Sequence, residues 1–124
     1  MSTEGRIAGF VQDKLTAEAI DDGGVLRVRL DGNASQRDVA PLDDFFNELH
    51  GACARGGIHE VVVDLRTLAY LNSSHFKTVV SWIGRMQNLD PKIPVRFLAN
   101  EKHHWQKRSL HALRHLAEDF VFIE

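Results

Sequence analysis

The stretch that decides the fold is VVVDLRTLAYLNSSHFKTVVSWIGRM, Val61 to Met86. Its first part, with Glu60 before it, reads as a strand over EVVVDL (60–65), a nearly continuous apolar run suited to burial on both faces. From Ser73 to Asn88 the apolar residues Phe76, Val79, Val80, Ile83 and Met86 recur at helical spacing, which predicts a helix with that stripe against a core. Between the two stand Asn72, Ser73 and Ser74, all good helix N-caps. A strand that runs into a helix N-terminus puts its loop at the carboxyl end of a sheet, where α/β proteins bind ligands. The unpaired N–H groups and positive dipole end of the first helical turn would also receive a phosphate carried on a serine. The Ser pair is open to two readings, a plain helix cap and a switch site.

The rest of the chain extends this pattern in both directions. KLTAEAI (14–20) and VLRVRL (25–30) alternate apolar and polar residues around the turn signal DDGG, which predicts an antiparallel hairpin with one solvated face. APLDDFFNELHGACARGG (40–57) changes to helical spacing at Leu42, Phe45, Phe46, Leu49 and Cys53, with Pro41 at its start and Gly56 and Gly57 at its end. VRFLA (95–99) predicts a further buried strand, HWQKRSLHALRHLA (104–117) a third helix, and FVFI (120–123) a last short strand. Residues 1–12 lack clear periodicity, so residues 1–13 are expected to form an N-terminal arm and 14–124 the domain. The fold class is α/β, a mixed, mainly parallel sheet with an antiparallel N-terminal edge, in the order β-β-α-β-α-β-α-β.

Composition narrows the function. The chain has 124 residues, enough for one domain, and a net charge of −2 that favours neither nucleic acid nor an anionic membrane. Cys53 is the only cysteine, so no intrachain disulfide forms, and it reads as a core residue. The N-terminal MSTEGRIAGFVQDKL has no long apolar run, so neither a signal peptide nor a membrane span is expected, and the predicted location is the cytoplasm.

The strand VVVDL, the aromatic–apolar pair Tyr70–Leu71 and the triplet Asn72–Ser73–Ser74 opening a helix resemble the core of the STAS domain, the fold of bacterial anti-sigma factor antagonists. GVLRVRLDGNAS (24–35) is similar to that family's second strand and the glycine-bearing loop after it, and the element order matches over roughly residues 14 to 124. The resemblance implies a partner-switching protein. A histidine-kinase-like serine kinase, which is also the anti-sigma factor, binds the unmodified form and phosphorylates the serine after the family's Asp, and a phosphatase reverses the mark. By position the acceptor is Ser73, with Ser74 the second choice, and Asn72, Ser73, Ser74, His75 and Lys77 frame the partner-binding surface. Asn72 stands where the family has Asp, and His75 where it has a small residue. Those departures suit a divergent switch with a different kinase, or a STAS module that only binds. The alternative of another class is a non-phosphorylated module that uses the same loop for a small ligand or a lipid-transport partner.

Other constellations point less far. His104, His111 and His115 fall within roughly 40° on a helical wheel. They are surrounded by Lys107, Arg108 and Arg114, with no carboxylate or Cys expected to complete a metal set. The same face, joined by Lys77 and Arg85, suits an acidic partner. Ser73 and His75 are too close in sequence to pair as nucleophile and base, and no phosphate-binding glycine loop is present. Asp64 is expected to order the link to Tyr70, with a functional carboxylate as the other reading. Trp82, slightly off the expected stripe, reads first as a peripheral core residue, with a half-exposed anchor for a partner or homodimer as the other reading. The expected assembly is a monomer or weak homodimer, without cofactor, metal or catalytic residue.

Overall fold

The computed structural model describes residues 4–12, 14–35 and 39–124. In chain order the elements are β1 (Glu4–Gln12), β2 (Leu15–Asp22), β3 (Val25–Ala34), α1 (Ala40–Ala54), β4 (Glu60–Asp64), β5 (Leu68–Leu71), α2 (Ser73–Met86), β6 (Val95–Leu98), α3 (His104–Leu116) and β7 (Val121–Ile123). One sheet takes the strands in the order β1-β2-β3-β4-β6-β7, and β5 pairs with the far end of β3. β1, β2 and β3 are antiparallel neighbours, while β3, β4, β6 and β7 pair in parallel, as does β5 with β3. The expected α/β class and mixed sheet are therefore present, with two strands added.

Both additions have a physical reason for escaping a sequence reading. The expected N-terminal arm is, over Glu4–Gln12, the strand β1, paired along β2. A bulge between Arg6 and Ala8 shifts its register. An inserted residue breaks the period-two pattern by which a strand is recognised. Beyond the bulge Ala8 is buried and Phe10 meets Phe45 of α1 edge to face at 5.9 Å. Residues 1–3 and 13 of that arm lie outside the described residues. β5 has only four residues, held by pairing with the continuation of β3 past Leu30.

Alternation decides which face is buried. Leu15, Ala17 and Ala19 of β2 and Leu26, Val28 and Leu30 of β3 are at most 2% exposed, as their spacing predicts. Phe46 of α1, Val79 of α2 and Leu110 of α3 share one interior with Leu30, Val63 and Phe97, so all three helices cover this face. The other face presents Thr16, Glu18, Arg27 and Arg29 to solvent. Val62 points to that open face yet is 7% exposed. It sits in register between Arg27 and Arg96, whose long stems screen it.

α1 begins and ends where local chemistry predicts. α1 has Pro in its first turn, Asp43 near its positive end, and Gly56 and Gly57 at φ +90° and +93° just beyond it. The phase of α2 differs from the expected stripe. Its buried residues are His75, Thr78, Val79, Trp82, Ile83 and Met86, and Phe76 and Val80 are half-buried at the edge. Trp82 is a core residue at 0% exposed, its ring 4.9 Å from that of Phe46, so the alternative of a half-exposed anchor is corrected. Packing a large indole between α1 and α2 turns the helix toward it, and a hydropathy pattern that treats Trp and His as marginal places the stripe one residue off.

This phase predicts a sharp contrast between neighbours. Val79→Asp puts an uncompensated carboxylate in the core and should unfold the domain, whereas Val80→Asp should leave it folded at a cost of about 1–3 kcal/mol. Urea melts of the two variants measure the difference, and equal midpoints would refute the observed phase.

Candidate partner-docking site at the start of α2

The site is built on backbone stitching between β3, the β4–β5 link and α2. Gly32, at φ +101°, lets β3 pass close to residue 14: an added Cβ would lie 1.9 Å from the Lys14 carbonyl oxygen. Asn33 N–H donates to that same oxygen at 2.8 Å, Gly32 N–H to Thr67 O at 3.0 Å, and Asn72 N–H to Ala34 O at 3.0 Å. The chain therefore enters α2 from a fixed direction.

Asn72 is the N-cap, extended at φ −73° and ψ 167°. Its Oδ1 accepts the backbone N–H of His75 at 2.9 Å, and the His75 ring Nδ1 approaches the same oxygen at 2.6 Å. Because that oxygen already accepts a backbone proton, the ring nitrogen facing it carries its own proton and donates. His75 is 1% exposed. The expectation that it frames the docking surface is corrected: it lies inside and holds the cap from beneath. Ser73 and Ser74 are the first two residues of α2, both exposed, with Lys77 exposed one turn further on. Tyr70, 45% exposed on β5, stands just before them. Asn72, Ser73, Ser74 and Lys77 thus share one surface region, and His75 does not belong to it.

Two further side chains hold the region from behind. Asp64 accepts from Arg66 N–H and Nε at 3.0 Å and from Nη2 at 2.9 Å, a fork that orders the first residues of the link. The Arg66 side chain's hydrogen bonds hold the Asp64 carboxyl below its usual range, opposed by partial burial and aided by the Arg66 backbone N–H and the charges of Arg66 and Arg29. Gln106 of α3 is not among the residues the sequence marks out. It is 1% exposed, donates from Nε2 to Leu65 O at 2.7 Å and Leu68 O at 3.0 Å, and accepts Asn100 N–H at 2.8 Å. A polar residue on the apolar side of a helix is its one available signal.

The remaining candidates fall elsewhere. Burial pushes the Cys53 thiol up to about 11, which keeps it neutral and unreactive. His104, His111 and His115 are exposed, and His115 Nδ1 lies 3.3 Å from Glu118, a neighbouring carboxylate not expected from the sequence. Among the described residues no group of three or more His, Cys, Asp or Glu is placed to hold a metal ion, and no helix is long and apolar enough to cross a membrane. Arg85 turns toward α1, where Nη1 donates to Asn47, and so does not join the face of α3. A groove of ≈ 590 Å³ lies between α3 and the ends of β6 and β7, lined among others by Asn100, His104, Lys107 and His111, and includes none of residues 72–77.

Sheet order, one-sided helix layer and the strand–link–α2 junction define a STAS-like α/β domain. Among solved structures, an anti-sigma factor antagonist from Mycobacterium paratuberculosis has the same fold, with a TM-score of 0.62 over 90% of this chain and 88% of that one, at 20% sequence identity. No protein-family model matches the chain, and no curated protein matches it in sequence.

This geometry makes two predictions. Asn72→Ala removes the cap and strands the His75 ring, and should cost at least about 1 kcal/mol in urea denaturation, while Asn72→Asp keeps an acceptor in place and should cost less. A carboxyl with a depressed folded pKa contributes stability above its unfolded pKa and loses it as pH falls through the folded one. The stability gap between the parent and Asp64→Asn should therefore be present at neutral pH and close below the ordinary carboxylate range. A gap independent of pH would show that the Arg66 fork does not stabilise the fold.

Proposed function

We propose that the domain is an anti-sigma factor antagonist-like regulator that works by reversible protein binding, with Ser73 as its phosphorylated residue. The observation that carries the proposal is an exposed serine as first residue of a helix whose cap is made by its neighbour, so the serine hydroxyl is not needed for the fold. Phosphate there would meet the free N–H groups of the first turn and Lys77 one turn on, and would add about −1.5 to −2 charge to the docking surface. The domain stays folded while the surface changes sign, which is what partner switching requires. The chain itself performs no reaction: a histidine-kinase-like serine kinase, also the anti-sigma factor, applies the mark and a phosphatase removes it, in the cytoplasm. The structural neighbour's being an anti-sigma factor antagonist supports this reading. Asn72 in place of an aspartate leaves the acceptor without an adjacent negative charge, so the kinase would be one that tolerates a neutral neighbour.

A second reading keeps the non-phosphorylated module for a small ligand or a lipid-transport partner but moves its ligand from the loop before α2 to the groove beside α3, which includes none of residues 72–77. It predicts ligand binding that no substitution at Ser73 alters.

Ser73→Ala should fold like the parent, lose phosphorylation and keep partner binding. Ser73→Glu should weaken binding in part, since it carries less charge than a phosphate, and Ser74→Ala should resemble the parent. Intact mass of the protein from its own cells, and recovery of the kinase with each form, test this. Equal recovery with all forms would return Ser73 to the rank of an ordinary helix residue, and loss of the mark only in Ser74→Ala would move the site.

A further inference from the structure

α2 packs on α1 through Trp82 and Phe46, and α3 packs beside β7. The flank of α2 that faces α3 carries Phe76 and Val80, both half-buried. At the N-terminal end the two helices meet, because Phe76 and Trp105 line the same interior and Trp105 Nε1 donates to Leu68 O of β5 at 3.3 Å. From that point α3 shows α2 a strip spaced four, three and four residues apart: Trp105, Ser109, Ala112 and Leu116. These fall within roughly 60° of one another on the helix. The strip ends in Leu116, 61% exposed, one of the largest apolar exposures among the described residues. It is about 16 Å long, roughly three turns of a docked helix.

The exposed side of α3 carries His104, Lys107, Arg108, His111, Arg114 and His115 over roughly 120° of the helix; Arg108 and His115 are the ones that border this strip, while Lys107 and Arg114 stand on its opposite side. Lys77 stands exposed on the α2 side, and no acidic residue occurs from Ser73 to Met86 or from His104 to Leu116 in a chain whose net charge is −2. Among the described residues only His115 of this set has an acidic partner, Glu118. At the start of α3 the placement runs against local helix chemistry. His103 gives α3 no side-chain cap, its first turn has no acidic residue, and Lys107 and Arg108 stand close behind the positive dipole end. A segment that breaks a local rule without compensation within the fold points to use.

We infer that the furrow between α2 and α3 is the docking groove for one amphipathic helix of the protein partner, apolar toward Val80 and Leu116 and acidic on the flank that meets α3. An apolar floor and a rim that carries Lys77 and Arg108 and no carboxylate of either helix match that occupant in the way grooves accept amphipathic helices. The inference rests on the proposed switch in one respect, the part played by Ser73. On α2, Ser73 falls roughly 20° from Val80 and so stands on the rim of the groove, whereas Ser74 falls roughly 120° away, toward α1. A phosphate on Ser73 would face the acidic flank of the docked helix and repel it, and one on Ser74 would not. The groove therefore distinguishes two adjacent serines.

The test uses the full chain and a labelled synthetic peptide of about 18 residues, helical, with leucines at i, i+3, i+4 and i+7 spacing and glutamates along one flank. Its counterpart carries lysines there instead. Fluorescence anisotropy should show binding of the glutamate peptide, weakened by added salt, with little binding of the lysine one. Leu116→Glu and Arg108→Glu, both at exposed positions, should each weaken binding about tenfold. Ser73→Glu should weaken it several-fold more than Ser74→Glu. Amide resonances of Val80, Ala112 and Leu116 should move on titration. Equal binding of the two peptides, no effect of Leu116→Glu, or shifts confined to other faces would overturn the groove. A dimer of this chain dissociated by Leu116→Glu would make a second copy the occupant, and binding to anionic vesicles lost in the same variant would make it a membrane; either overturns the inference. Failure of the peptide with Ser73 still phosphorylated in cells removes the groove and leaves the switch intact. Equal effects of Ser73→Glu and Ser74→Glu overturn the tie between them.

Discussion

The buried amide of Gln106 stands where three parts of the molecule meet, and joins all three. Its Nε2 closes the carbonyls of Leu65 and Leu68, and its Oε1 takes the N–H of Asn100, all inside the protein. The β4–β5 link, the β6–α3 loop and α3 itself are thereby one unit. Leu65 O also accepts the N–H of Leu68 at 3.0 Å and Leu68 O the indole of Trp105 at 3.3 Å, so the link is tied to α3 by several hydrogen bonds at once. The link leads through β5 into the cap at Asn72, and the cap leads directly into Ser73. The position of the proposed acceptor is thus fixed by a side chain on a different helix.

The cap itself is a small network of the same kind. One oxygen of Asn72 receives the backbone of His75 and its ring. With an aspartate at this place the ring would face a carboxylate; with glycine at position 75 there would be no ring. Asn72 and His75 together hold the start of α2, and Ser73 and Ser74 stand exposed at its surface.

The helix layer lies on one face of the sheet only. Helices crossing between parallel strands run in the same direction, so the starts of α2 and α3 lie at the same end of the domain. Packing α2 tightly on α1 with an indole at the centre leaves its other flank less covered, and Phe76 and Val80 are half-buried there as a result. The open sheet face is kept soluble by charges, with Arg96 3.0 Å from Glu60 and Arg27 3.0 Å from Asp22. Such exposed pairs add little to stability, typically under about 1 kcal/mol, and serve to screen Val62 and its neighbours from water.

Much of this architecture is legible in the amino-acid order alone. The alternation of β2 and β3, the apolar run of β4, the glycines after α1 and the cap triplet before α2 are local signals, set by backbone sterics and the period of each element. They carry the α/β class, the order of most elements and the place of Ser73. Tertiary structure decided the rest. A bulge hid β1, and β5 exists only because β3 extends far enough to pair with it. Trp82 and His75 turned inward because Phe46 offered a ring and Asn72 offered an oxygen, and neither partner is visible to a periodicity. Gln106 became structural because two carbonyls from a distant strand end point at it. A sequence states which residues prefer water; which buried polar group will find its complement depends on which segments the fold brings together.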